Sequence, residues 1–168
     1  KRKDCRYPYK ELSGCGVGFK LCQGLNTIYK IPESELFELT DLLAISIASD
    51  IVAMTGENRV LAKQGLKFLR KTRKFGLRLL IPEEKLAHFE ISNIVFDIAP
   101  KINAAGRISH AKASVELMIS DNLKQAHQIV NEIVNLNDER REMDINITQS
   151  ALNQVLELEK VERYSTIV

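Results

Sequence analysis

The sequence predicts a mostly helical fold with at most a strand or two. Apolar residues recur at helical spacing in segments that glycine and proline separate. The longest such segment runs from residue 121 to about residue 160, well beyond the length of an average helix. Strand-like patterning is confined to residues 77–81, which could equally form a turn, and to the β-branched residues 164–168.

Four helical segments are expected in the first hundred residues: 17–25, 34–53, 57–71 and 91–99. The second follows Pro32 and carries acidic residues in its first turn, which favours a helix start. Gly76 is expected to end the region after the third segment. Pro100 is expected to stop the fourth, because the residue before a proline avoids helical geometry.

The rest of the chain holds a short helix at residues 113–119 and the long segment 121–160, with Asp121 as a plausible N-cap. The long helix has apolar ends and a polar waist at residues 137–142. This pattern suits a strut between two globular units. A surface helix with a solvated stretch and one arm of a coiled coil are the alternatives, although the apolar spacing is too irregular for sustained heptads.

Composition indicates an ordinary globular chain in a reducing compartment. Of the 168 residues, 45% are hydrophobic and 27% are charged. The net charge of +2 is too small to indicate nucleic-acid binding, so any phosphate site would be local. Three cysteines that form neither an even set nor a C-x-x-C pair predict reduced thiols and a cytoplasmic location. No apolar run is long enough to span a membrane.

Both ends of the chain suggest a piece of a longer protein. The first residue is Lys1 rather than methionine, and the last five residues read as a strand that is just beginning. We therefore expect a fragment, with apolar faces that would allow copies to associate.

Residues 100–107 form the most informative segment, because they combine a proline, an amide, small residues and a guanidinium. Arg107 offers a planar fork of donors that suits a phosphate, and Asn103 can donate and accept beside it. Gly106 would let a backbone approach a ligand closely. The alternative is a helix boundary at which Pro100 breaks and Gly106 caps the helix.

Asp50 interrupts an apolar run, where a carboxylate is costly to bury unless it is capped, paired or bound to a metal. Metal ligation and a simple helix-end role both fit. Glu57, Asn58 and Arg59 open the next helix, with Glu57 placed favourably for the helix dipole and Arg59 able to pair with Asp50. No zinc-type His/Cys cluster and no G-x-S-x-G elbow is present.

The glycine-rich residues 14–20 could cradle a phosphate at a helix N-terminus. They match neither G-x-G-x-x-G nor the Walker pattern. Close helix packing and a tight entry turn are the simpler interpretation.

Taken in order, residues 14–21, 48–54, 56–59 and 100–107, followed by the polar-waisted helix, resemble the RecJ family of single-strand-specific DNA exonucleases in the DHH phosphoesterase superfamily. The resemblance covers nearly the whole chain, and the Asn-Ala-Ala-Gly-Arg element at 103–107 is its most specific part. It implies 5′-to-3′ degradation of single-stranded DNA, with Mn²⁺ or Mg²⁺, in recombination and repair.

The resemblance also implies roles for single residues. Asp50 matches a metal-ligating aspartate, and Arg107 matches an arginine that contacts DNA phosphate, with Asn103 in the same element. Arg107 would be the catalytic residue of this chain, offsetting charge on the phosphoryl oxygens. A supporting role is expected for the remaining motif residues, Glu57, Asn58, Arg59 and Gly106.

In architecture, the resemblance implies a mostly α fragment of an α/β protein. Residues 1–99 would be the C-terminal helical part of a DHH domain and residues 100–120 the Asn-Ala-Ala-Gly-Arg element. Residues 121–160 would form the connecting helix and residues 161–168 the first strand of a DHHA1 domain. The chain has no Asp-His-His triplet, so we expect it to be inactive alone and to bind metal weakly at best.

Two other functions stay open from sequence. A DHH-type phosphodiesterase could act on short oligonucleotides or cyclic dinucleotides, and a non-enzymatic helical module could bind a partner protein through its long helix. The expected partners are single-stranded DNA and repair proteins, with no membrane.

Overall fold

The computed structural model describes residues 4–108 and 112–157, and this part of the chain is helical without a strand. The α-helices are α1 (Gly14–Tyr29), α2 (Glu33–Glu38), α3 (Thr40–Ser49), α4 (Gly56–Leu69), α5 (Phe75–Leu80), α6 (Ile91–Asn93), α7 (Ala99–Ile108), α8 (Lys112–Ile119) and α9 (Leu123–Glu157). A 3₁₀ helix (Glu83–His88) precedes α6, and a π-helical turn (Ile94–Ile98) joins α6 to α7. The mostly helical prediction is confirmed; the strand predicted at 164–168 lies outside the described residues.

Helices α3 and α4 form the most extensive contact between elements. Gly65 of α4 makes the approach possible, because a Cβ there would collide with the Thr40 carbonyl oxygen and lie 2.7 Å from the Ala44 Cβ. A main core continues from α3 through α5, the π-helical turn and α7 to α9, and a smaller core joins α1, α3 and α4. One packed unit therefore carries the motifs of both halves of the chain.

The apolar segment 34–53 is not one helix. It divides at Leu39 into α2 and α3, and α3 ends at Ser49 rather than at residue 53. The end is sharp because Ile51 adopts a left-handed backbone with φ of 50°, which a helix does not tolerate.

The expectations for Gly76 and for residues 77–81 are wrong. Gly76 lies inside α5, where a Cβ would collide with the Leu117 carbonyl oxygen of α8. Leu77 and Leu80 are buried on the same helix. The glycine thus serves close helix packing, and the segment is neither a strand nor a turn.

Pro100 does not stop a helix. In the π-helical turn the Ala99 N–H donates to the Ile94 carbonyl, five residues back. The hydrogen-bond ladder has therefore already shifted before the proline, which has no N–H to donate. Helical backbone continues through Pro100 to Ile108.

The long helix α9 begins at Leu123, and its cap is Asn122 rather than Asp121. The Asn122 Oδ1 accepts from the backbone N–H groups of Lys124 and Gln125 at 2.9 and 3.2 Å. The first half of α9 packs against α5, α7 and α8. Residues 141–150 are all exposed, so the second half has no packing partner among the described residues.

The polar waist of α9 is less solvated than expected. Asn137 is only 7% exposed, and its Oδ1 has no hydrogen-bond partner within residues 4–108 and 112–157. Apolar side chains beyond the waist, such as Ile145 and Leu156, are strongly exposed. Within the described ranges, no helix combines the length and apolar character that crossing a membrane requires.

Candidate metal and nucleic-acid site

Asp50 caps the C-terminal end of α3 and is exposed. The Ser46 hydroxyl, one turn earlier in α3, lies 3.1 Å from the Asp50 Oδ2. The helix-end position that the sequence offered for Asp50 is therefore observed, and its carboxylate does not bear the cost of burial. An exposed carboxylate oxygen remains free for a cation.

Ile51 directly after Asp50 carries the left-handed φ of 50°. A β-branched side chain rarely adopts this conformation, because its Cβ crowds the following carbonyl. Ile51 is also 83% exposed, so burial of its side chain does not compensate for the strain. Such strain is typical of functional sites, where surrounding contacts hold the backbone in place.

A chain of hydroxyl groups links Asp50 to the glycine-rich start of α1. The Ser46 Oγ lies 3.0 Å from the Ser13 Oγ, and the Ser13 Oγ accepts from the Gly16 N–H at 3.1 Å. If Ser46 donates to Asp50, Ser13 must donate to Ser46, since each hydroxyl has one proton. The glycine-rich segment is thus a capped helix start whose amide is already occupied, which favours the entry-turn interpretation over a phosphate cradle.

Glu57 lies at the start of α4 in a cluster with Tyr7 and Lys20. The Tyr7 hydroxyl lies 2.7 and 2.9 Å from the two carboxylate oxygens, and the Lys20 Nζ lies 2.9 Å from the Oε2. Burial alone would raise the pKa of Glu57, but hydrogen bonds from Lys20 and Tyr7 outweigh it and lower that pKa. The cluster ties the N-terminal segment, α1 and α4 together.

Asn58 is fully buried and holds the loop that follows Asp50. Its Nδ2 donates to the carbonyl oxygens of Glu11 and Ala53 at 2.6 and 3.0 Å. Arg59, in contrast, is exposed. The expected pairing of Arg59 with Asp50 is absent from the ion pairs of the described residues. Asn58 thus has a structural role, while Arg59 is a surface cation without an ion-pair partner in the described part of the chain.

Asn103 and Gly106 lie three residues apart on α7, and both are exposed. A Cβ at Gly106 would meet no described atom within 4 Å, so packing against the described residues does not require a glycine there. Ala104 and Ala105 are fully buried. Ala104 and Ala105 therefore serve helix packing rather than the approach of a ligand. The helix boundary that was the alternative for this segment is not observed, because α7 runs from Ala99 to Ile108.

Arg107 is described only as a helical backbone position near the end of α7. The structure does bring its helix close to that of Asp50, because α3 and α7 are in contact and share the main core. Whether the carboxylate of Asp50 and the guanidinium of Arg107 converge on one ligand stays a prediction.

The described residues do not form a complete metal centre. No group of three or more His, Cys, Asp or Glu side chains is placed to hold a metal ion there. Asp50 can supply one carboxylate, whereas hard divalent cations take six or more oxygen ligands. This part of the chain therefore fits one edge of such a site and not the whole of it.

Several residues of this site were not singled out from sequence. The buried carboxylate of the region is Asp41, at 1% exposure, which accepts from Lys74 Nζ at 2.7 Å and from Thr72 Oγ1 at 2.9 Å. Tyr7 and Lys20 reach Glu57 from 50 and 37 positions away, so no local pattern could reveal them. Among these residues, only Ser46 could have been found from sequence, because side chains four residues apart on a helix, such as Ser46 and Asp50, lie close together.

No family model matches the chain. Over most of its length, however, it is homologous to a segment of single-stranded-DNA-specific exonucleases named RecJ. The identity is 39% over 160 residues with the Bacillus subtilis protein and 32% over 173 residues with the Escherichia coli protein. These alignments cover 92% and 94% of this chain, but only 19% and 30% of the relatives.

Solved structures give the same result for the backbone. The crystal structure of exonuclease RecJ bound to manganese matches with a TM-score of 0.79 and 31% identity, over 89% of this chain and 38% of that one. The crystal structure of the Thermus thermophilus RecJ in complex with Mg²⁺ matches with a TM-score of 0.76 and 30% identity, over 88% and 23%. The resemblance inferred from the motifs is thus confirmed in sequence and in fold.

Proposed function

We propose that this chain is a segment of a RecJ-type exonuclease that degrades single-stranded DNA from 5′ to 3′ with Mn²⁺ or Mg²⁺ in recombination and repair. The observation that carries the proposal is the 30–39% identity with RecJ sequences and structures over about nine tenths of the chain. Because the chain spans less than a third of the curated relatives, the activity belongs to a longer protein.

The domain layout follows from the same resemblance. Residues 1–99 form the rear of a DHH domain, residues 100–120 carry the Asn-Ala-Ala-Gly-Arg element, residues 121–160 are the connecting helix and residues 161–168 begin a DHHA1 domain. The exposed second half of α9 supports this layout, since a connecting helix needs a second unit to pack against.

Asp50 supplies one carboxylate to the metal centre, and the other ligands come from parts of the relatives that this chain does not cover. A divalent cation bound there would activate water and offset charge at phosphorus. Ser46 holds the Asp50 carboxylate in one orientation. Asn58 holds the loop behind it by bonding to the Ala53 carbonyl.

Arg107 and Asn103 contact the DNA phosphate on the exposed side of α7. Gly106 leaves that side open, which supports close approach of a sugar–phosphate backbone. Glu57 and Arg59 have supporting roles at the start of α4.

The proposed location is the cytoplasm, with repair proteins as partners. Exposed apolar side chains on α1 and α9 support association between copies of the isolated chain.

The isolated chain is expected to be inactive, because residues 4–108 and 112–157 contain no group of three or more potential metal ligands, and Asp50 is the one ligand that we propose there. The test is degradation of labelled single-stranded DNA by the purified 168-residue chain, with Mn²⁺ and with a chelator. A metal-dependent rate that co-purifies with the folded chain would contradict the proposal.

Arg107→Ala in the full-length protein tests the phosphate contact. We expect a loss of turnover of about 100-fold or more with the fold intact, because a preorganised donor to developing charge is worth that much. Lys112→Ala, which removes an exposed cation on α8, is the matched control. Wild-type protein that never degrades DNA would favour the interaction module, and selective turnover of dinucleotides would favour the small-substrate phosphodiesterase.

A further inference from the structure

The positive charge of this chain is concentrated in one segment. Residues 59–74 hold seven of the 24 Lys and Arg residues and none of the 22 Asp and Glu residues. The net charge of +2 is therefore the sum of a charge of +7 in residues 59–74 and a charge of −5 in the rest of the chain. A local field of this kind attracts polyanions even when the whole chain is nearly neutral.

Two of the seven cations bind groups within the fold. The Arg70 guanidinium donates to the Phe89 carbonyl at 2.8 and 3.1 Å, and Lys74 pairs with the buried Asp41. The other five are exposed, and none of them has an ion-pair partner among the described residues. We call these five the basic stripe: Arg59, Lys63, Lys67, Lys71 and Arg73.

Three residues of the basic stripe lie on the outer side of α4, and the other two, Lys71 and Arg73, follow the C-terminal end of that helix. The buried residues of this helix share the opposite face: Asn58, Leu61, Ala62, Gly65 and Leu69. Arg59, Lys63 and Lys67 follow one another at intervals of four residues, about 6 Å along the helix axis. Such a row of evenly spaced cations suits the successive phosphates of an extended single strand better than a compact anion.

The stripe leads into an open groove of about 720 Å³ at the C-terminal end of α4. Lys71 and Arg73 line this groove together with Phe68 and Phe75, and the Phe75 ring is 37% exposed. Three acidic residues also line it: the Asp41 carboxylate pairs with Lys74, whereas Glu38 and Asp121 are exposed. The groove itself therefore has no net charge, and the positive charge of the track comes from the part of the basic stripe on α4. Cations beside an exposed aromatic ring are the combination that proteins use to bind single strands without sequence preference.

We propose that the basic stripe and the groove at its end form a binding track for single-stranded DNA, separate from the α7 element. The stripe holds phosphates, and Phe75 stacks on a base. The stripe begins in the first turn of α4, nine positions after Asp50 at the end of α3, and on this proposal the track holds a part of the strand beyond the cleavage point. Only the choice of DNA as the polyanion rests on the proposed function.

The test is a triple substitution in the full-length protein: Lys63→Gln, Lys67→Gln and Lys71→Gln. The control removes the same net charge from exposed positions elsewhere, with Lys30→Gln, Lys112→Gln and Lys124→Gln. Affinity for fluorescein-labelled oligo(dT) is measured by anisotropy in EDTA, at several salt concentrations, so that no cleavage occurs. Thermal unfolding of both variants verifies that they are folded.

We expect the stripe variant to bind oligo(dT) at least about tenfold more weakly than the control, with a salt dependence shallower by about 2 in log–log slope. Lys67→Gln alone should reduce the slope by about 0.7. Phe75→Leu should weaken binding several-fold at every salt concentration, because stacking is lost and no charge is removed. In cleavage assays the stripe variant should raise KM for long substrates with kcat unchanged.

If the stripe and control variants bind oligo(dT) with equal affinity and equal salt dependence, the proposed track is wrong. The same result is expected if the stripe binds an acidic protein partner instead of DNA. The proposed function fails in a different way, since wild-type protein would then neither bind nor degrade single-stranded DNA. Asp50→Asn separates the two, because it should abolish degradation and leave binding in EDTA intact.

Discussion

At the scale of single residues, the site depends on how the Asp50 carboxylate is held. Its helix ends in a strained turn at Ile51, and one of its oxygens lies within hydrogen-bond distance of Ser46. Ser46 is in turn supported by Ser13, which is almost fully buried. The orientation of the Asp50 carboxylate thus depends on two neutral hydroxyl groups.

Ser46→Ala removes the partner of Asp50 without changing any charge. In the full-length protein we expect Mn²⁺ affinity, measured by electron paramagnetic resonance, to fall about tenfold, as it does when outer partners of metal ligands are removed. Ser46→Thr should restore most of the affinity. Ser49→Ala is the control. Ser49 lies on the same helix as Ser46, and its hydroxyl is buried without a hydrogen-bond partner among the described residues. Equal affinity in all four proteins would exclude a positioning role.

The cluster around Glu57 predicts a pH dependence of stability. A carboxyl whose pKa is lowered in the folded state stabilises the fold above its unfolded pKa of about 4.5, and this contribution is lost as the pH falls through the lowered value. Glu57→Gln should therefore cost at most about 1 kcal/mol at neutral pH. The difference from wild type should close in acid, as measured by urea unfolding. A difference that persists at low pH would show that packing, not ionisation, is responsible.

Sequence reasoning succeeded at this scale where a residue carries its signal locally. Asp50 ends a helix, as one of its two sequence interpretations had it, whereas the partners of Glu57 and the buried role of Asn58 depend on contacts across 37 to 50 positions. The buried carboxylate Asp41 was not singled out, because an apolar run does not reveal which of its acidic residues turns inward.

At the scale of elements, close helix packing explains both what the sequence predicted and what it missed. Amphipathic spacing located α1, α4, α8 and α9 correctly. It failed at α5 and α7, where Gly76 and Pro100 were interpreted as breakers. Gly76 is required because α8 approaches closely, and Pro100 is accommodated by the π-helical turn. Neither context can be read from local propensity.

Gly65→Ala tests the contact between α3 and α4. The added methyl group would collide with backbone of α3, so we expect the free energy of unfolding to fall by about 1–3 kcal/mol. Gly18→Ala in α1 is the matched control, because its Cβ meets no atom within 4 Å; it should stabilise the helix by about 0.5–1 kcal/mol. Equal unfolding midpoints in denaturant would contradict the packing described.

At the scale of the whole molecule, the described part of the chain is one packed helical unit that places the proposed site residues on separate helices. Asp50 ends α3, the Asn103 element lies on α7, and the basic stripe follows α4. The shared core holds these helices in a fixed relation, while half of α9 extends without a partner among the described residues. Such an arrangement suits a part that completes its site only together with the rest of a longer protein.

The most direct test of the account is the rate at which the full-length protein, saturated with Mn²⁺, degrades single-stranded DNA when Asp50 is changed to Asn. Asp138→Asn, which alters an exposed carboxylate in the waist of α9, is the control. We expect Asp50→Asn to lower the rate by at least about 100-fold, since a direct ligand contributes more than the outer partners that cost about 10- to 100-fold. Folding and DNA binding in EDTA should be unchanged. An Asp50→Asn protein that degrades DNA as fast as the Asp138→Asn control would contradict the role of Asp50 and the metal site built on it.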